Sequence, residues 1–83
     1  MRVRLRLFGT LKRHAPDGAA GRGTVFLDLP EGATVLQLIM HLGIPYGEHE
    51  GQIVAAVNDR ETAHDRVLRE GDAVSLFEPL AGG

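Results

Sequence analysis

Apolar and charged residues alternate at the start of the chain, where Val3, Leu5 and Leu7 interleave with Arg2, Arg4 and Arg6. A period of two predicts a half-buried strand with its arginines in solvent, and Phe8 continues the arginine parity. Residues 9–23 are too many for a simple hairpin loop. Within them, residues 10–15 predict a short helical turn that stops before Pro16, because a residue ahead of proline is pushed out of the helical region. Asp17-Gly18 and Gly21-Arg22-Gly23 read as a turn and a loop. Residues 24–29 predict a second strand with Val25, Leu27 and Leu29 on its inner face.

Pro30-Glu31-Gly32 breaks that strand. Thr34 and Gln37 are spaced as a capping box, in which each side chain satisfies a free backbone donor at a helix start. Val35, Leu38, Ile39 and Leu42 follow at helical spacing, so one face of the helix should pack on the sheet. Gly43 suits the helix stop, and Pro45 prevents its continuation. Residues 46–52 read as irregular. Residues 53–57 form an unbroken apolar run, expected to be a strand buried on both faces. Asn58-Asp59-Arg60 reads as a turn and residues 61–64 as a short edge strand. Glu70-Gly71-Asp72 is a further turn, before a last strand at 73–77. Two strands, one helix and two or three more strands predict an α+β domain: a mixed sheet of about four to five strands on one main helix. No internal repeat or second domain is evident.

Composition narrows the function. A chain of 83 residues with 43% apolar content and a net charge of -2 supports one ordinary core, not an electrostatic grip on nucleic acid. Cysteine is absent, which removes disulfides, thiolate metal sites, protein-borne persulfides and cysteine nucleophiles. The N-terminal segment lacks the apolar run of a signal peptide, and no run reaches membrane-spanning length, so a soluble cytoplasmic protein is expected.

Motifs for catalysis fail in turn. His14, His41, His49 and His64 have no metal-ligand spacing, and no metal is expected. His49-Glu50 opens like a zinc-protease motif, but Ile53 stands where the second histidine belongs. Gly21-Arg22-Gly23 lacks the lysine and hydroxyl residue of a phosphate loop. Ser75 lies in a strand without nucleophile-elbow glycines. What remains is the end, Gly82-Gly83. Two glycines carry no side chains, so they can enter a narrow channel and leave the carboxyl carbon open to attack. The plainer alternative is a terminus without a role. Phe8, beside the arginine stripe, and Phe77, outward if Val74 and Leu76 face inward, would suit docking to a protein with an acidic rim. Against this stands a solvated strand face with both rings partly covered by loops.

Three segments carry a family resemblance: Ala55-Ala56-Val57-Asn58, Leu68-Arg69-Glu70-Gly71-Asp72-Ala73-Val74, and Phe77-Glu78-Pro79-Leu80-Ala81-Gly82-Gly83. Together they resemble the MoaD/ThiS family of ubiquitin-like sulfur carriers, and Leu7 to Lys12 and Leu29 to Val35 extend the likeness weakly over the rest. The resemblance implies a β-grasp domain at 1–77 and a flexible tail at 78–83. It implies that an E1-like enzyme adenylates the Gly83 carboxylate, and that a sulfur donor protein then supplies the sulfur of a thiocarboxylate. ATP and Mg²⁺ would be used by that activating partner, with no cofactor bound by the domain itself.

The tail is closer to MoaD than to the thiamin carrier, which implies a MoaE-like synthase large subunit as partner and molybdopterin biosynthesis as pathway. By the same likeness Phe8, Lys12, Phe77, Pro79, Leu80 and Ala81 contact the partner, while Gly82 and Gly83 enter its active site. From Glu78 the tail can extend about 20 Å. Two positions depart from the pattern: Glu78 replaces a frequent proline, and Asp59-Arg60-Glu61 is charged where an apolar contact is often found. A modifier joined through Gly83 to lysines, a carrier for thiamin or tRNA thiolation, and a β-grasp module with an inert tail remain as alternatives.

Overall fold

The computed structural model describes residues 1–15, 24–45 and 53–78. The loop expected at 17–23, the irregular stretch 46–52 and the tail 79–83 lie outside the described residues. Along the chain run β1 (Arg2–Leu7), a 3₁₀ helix (Gly9–His14), β2 (Val25–Asp28), α1 (Val35–His41), β3 (Val54–Val57), β4 (Arg60–Thr62) and β5 (Ala73–Phe77). The five strands form one sheet in the order β2-β1-β5-β3-β4. The pair β1–β5 is parallel, and the other three pairs are antiparallel. A mixed sheet with one main helix on it is the β-grasp arrangement, as expected.

Alternation decides which face is inside. Val3, Leu5, Leu27, Ala55, Val57, Val74 and Leu76 turn inward and join Val35, Leu38 and Ile39 of α1 in one core. Burying a single leucine or valine there contributes about 1.5–3 kcal/mol, so the pattern fixes the strand registers strongly. One expectation changes. In β3 only alternate residues are buried, while Val54 and Ala56 are half-buried. Among the described residues the sheet carries its main helix on one face only, which leaves the outward positions of β3 less covered than the inward ones.

The helix starts where the capping box predicts. The Thr34 hydroxyl accepts from the Gln37 amide at 3.2 Å, and Gln37 Oε1 accepts from the Thr34 amide at 2.8 Å. Its first turn receives two further acceptors from the crossover to β5. The Val35 amide donates to the Arg66 carbonyl at 3.0 Å and the Leu36 amide to that of His64 at 2.8 Å. These four bonds satisfy donors that a helix cannot pair internally. The stop is Gly43, at φ +76, a conformation that costs glycine little.

Asn58 and Asp59 have φ of 54 and 70, a two-residue turn of the kind whose twist suits an antiparallel hairpin. The edge strand β4 therefore begins at Arg60, one residue earlier than expected, and ends at Thr62. Asn58 also holds the start of β5. Its Nδ2 donates to Asp72 Oδ1 at 3.0 Å, and its Oδ1 accepts from the Ala73 amide at 3.0 Å. The second oxygen of Asp72 accepts from the Arg69 amide at 2.8 Å, and Asp72 is 7% exposed. Replacing Asp72→Ala should cost about 1–2 kcal/mol, because it removes the acceptor of two hydrogen bonds at a part-buried site. Urea denaturation checks this: the midpoint should fall with little change in slope.

Candidate partner-docking site

The site is assembled by the parallel pairing of the first and last strands. Leu7 lies opposite Leu76, so β1 and β5 finish at the same end of the sheet. The ladder runs one residue further, with the Phe8 amide donating to the Leu76 carbonyl at 3.1 Å. Phe8 keeps extended backbone, and Gly9 at φ +60 then turns the chain into the 3₁₀ helix. That helix has one buried residue, Leu11, at 1% exposure. Burying a leucine is worth about 2 kcal/mol, enough to hold a short segment whose own hydrogen bonding is poor. The Leu11 amide donates back to the Phe8 carbonyl at 3.2 Å.

Phe8 and Phe77 meet on the outer face of the sheet. Their ring centroids are 6.3 Å apart at 87°, an edge-to-face contact. Both rings remain open to solvent, at 37% and 36% exposure. The Arg6 guanidinium sits 5.2 Å from the centroid of Phe8, within cation–π range. Arg2 is engaged by Asp28 at 3.3 Å, whereas Arg4 and Arg6 carry the stripe onward to the rings. A groove of about 200 Å³ beside them is lined by Arg4, Arg6, Thr24, Asp59 and Ser75. An apolar anchor at one end and guanidinium groups along the side can bind a protein surface that offers a socket and carboxylates.

Lys12 is exposed on the 3₁₀ helix, outside the stack of Arg6, Phe8 and Phe77. Pro79, Leu80, Ala81, Gly82 and Gly83 lie outside the described residues, so only the root of the tail is placed. Two features of that face escape the sequence reading. Phe26, 61% exposed, lies opposite Arg4 on the edge strand β2, four residues along β1 from Phe8. The parity that turns Val25 and Leu27 inward is the signal that identifies it. At the root, the Thr10 hydroxyl donates to Glu78 Oε1. No local pattern announces that contact.

The model of the ThiS family matches residues 5–83. By sequence, comparison with curated proteins gives no match. Several solved structures share the fold. The putative molybdopterin converting factor subunit 1 of Pyrococcus furiosus is 26% identical, with 96% of this chain and 99% of that one covered and a TM-score of 0.68. SAMP1, a small archaeal modifier protein of Haloferax volcanii, is 24% identical over all of both chains, with a TM-score of 0.69. A chain in the complex of subunits 1 and 2 of the Helicobacter pylori molybdopterin-converting factor is 24% identical over all of both chains, with a TM-score of 0.59.

The aromatic pair makes a quantitative prediction. A double-mutant cycle on Phe8→Ala and Phe77→Ala, read by chemical denaturation, should give a coupling of about 1 kcal/mol. A coupling near zero would mean that the rings lie side by side without supporting one another.

Proposed function

This chain belongs to the ThiS family, a ubiquitin-like sulfur carrier or modifier, and we propose that it carries sulfur as a Gly83 thiocarboxylate in molybdopterin biosynthesis. The observation that carries the proposal is the parallel pairing of β1 with β5. It puts Phe8, Phe77 and Arg6 at the point where the last strand gives way to Glu78-Pro79-Leu80-Ala81-Gly82-Gly83. A partner gripping that face therefore stands beside the tail that it must act on. The Pyrococcus furiosus likeness supports the molybdopterin branch, and a two-subunit complex among the structural neighbours supports a partner protein.

Chemistry explains why a partner is needed. A carboxylate is a poor electrophile. In the proposed first step a Gly83 oxygen attacks the α-phosphorus of ATP and pyrophosphate leaves, giving an acyl adenylate. A persulfide on a donor protein then attacks the acyl carbon and AMP leaves, giving an acyl disulfide. A second thiol, on the donor or the activating enzyme, cleaves its S–S bond, forming a disulfide with the donor sulfur and releasing the Gly83 thiocarboxylate. ATP and Mg²⁺ are handled by the E1-like activating enzyme. A chain without cysteine leaves sulfur no thiol of its own to occupy, which suits carriage at the terminus. Absence of side chains at Gly82 and Gly83 suits entry to a tight active site. The subsequent acceptor protein is a MoaE-like large subunit, bound through the same aromatic face.

The test is intact-protein mass spectrometry after incubation with an E1-like enzyme, ATP and a sulfur donor. The expected result is one oxygen exchanged for sulfur, mapped to Gly83 and abolished by deleting Gly82 and Gly83. Isopeptide adducts on lysines of other proteins, with no thiocarboxylate, would instead establish a modifier.

A further inference from the structure

We propose that Thr10 and Glu78 form a latch that fixes the direction in which the chain leaves β5, making the root of the tail a preset part of the docking surface. This rests on reading residues 79–83 as the carrier tail. Glu78 is the first residue beyond β5 and is half-buried, and its Oε1 accepts from the Thr10 hydroxyl 68 residues away in sequence. Thr10 is itself exposed but stands next to anchored residues. Its neighbour Leu11 is 1% exposed in the core, and the Phe8 backbone is bonded on one side to Leu76 and on the other to Leu11. The latch therefore ties the first residue beyond β5 to a segment that the core holds through Leu11.

A second restraint on the same residue comes from covalent structure. Pro79 follows Glu78, and a residue ahead of proline is biased away from the helical region toward extended backbone. Side chain and backbone of one residue are thus held together at the point where the strand ladder ends. Phe77, immediately before it, is held by the edge-to-face contact with Phe8. Ordering these groups in the free protein removes an entropic cost that docking would otherwise carry. Thr10 and Glu78 touch no reacting atom. They act as positioning residues, through the direction given to the chain that follows.

Two arms test the latch. In the free protein, ¹⁵N relaxation should give the Glu78 amide an order parameter near about 0.85 in the wild type and in Thr10→Ser, falling below about 0.6 in Thr10→Val. The thermal midpoint should stay the same in all three. An unchanged Glu78 order parameter in Thr10→Val overturns the proposal, and this arm needs no partner. With an E1-like enzyme and ATP, Thr10→Val and Glu78→Ala should each raise the KM for this protein about fivefold at constant kcat, with Thr10→Ser restoring it. A lower kcat at constant KM contradicts a positioning role. Wild-type protein that no such enzyme activates overturns the carrier reading instead, and leaves the latch to be judged by relaxation alone.

Discussion

Parallel pairing of the first strand with the last is the constraint on which the other features depend. A parallel pair cannot be closed by a tight turn and needs a crossover connection. Here that crossover is nearly the whole chain, including α1, β3 and β4. Because the strands run the same way, the end of β1 and the end of β5 come together. A residue near the N-terminus, Phe8, thereby becomes the neighbour of Phe77, the last residue before the tail. An antiparallel arrangement of the same two strands would have put them at opposite ends of the sheet.

Energetic weight and functional weight fall on different residues. An edge-to-face ring pair such as Phe8 and Phe77 is typically worth about 1 kcal/mol, whereas burial of a leucine such as Leu5, Leu11 or Leu76 is worth about 2 kcal/mol or more. The inner face of the sheet holds the aromatic pair in place, and among the described residues both rings of that pair are exposed on the outer face. Asn58 and Asp72 perform a similar service at the other end of β5, where they secure the start of the strand whose far end carries Phe77.

Much of this was legible in the residues themselves, and the exceptions share a cause. Alternation placed β1, β2 and β5 and turned both phenylalanines outward, because burial of one sheet face imposes a period of two. Thr34 and Gln37 marked the helix start because a capping box is a local motif. The link from Asn58 to Asp72 spans 14 residues and that from Thr10 to Glu78 spans 68, and no local spacing encodes either. The unbroken run at 53–57 suggested burial on two sides. Composition alone does not tell how many faces of a sheet receive a covering layer. Gly82 and Gly83 were conspicuous by type, and the family match over residues 5–83 includes that end.

The most direct measurement of the central claim is amide hydrogen exchange with and without an E1-like activating enzyme and ATP. The account predicts slowed exchange concentrated in the 3₁₀ helix and at the ends of β1 and β5, around Phe8 and Phe77. Slowed exchange confined to α1, around the exposed Met40, with that end of the sheet unchanged, would contradict it.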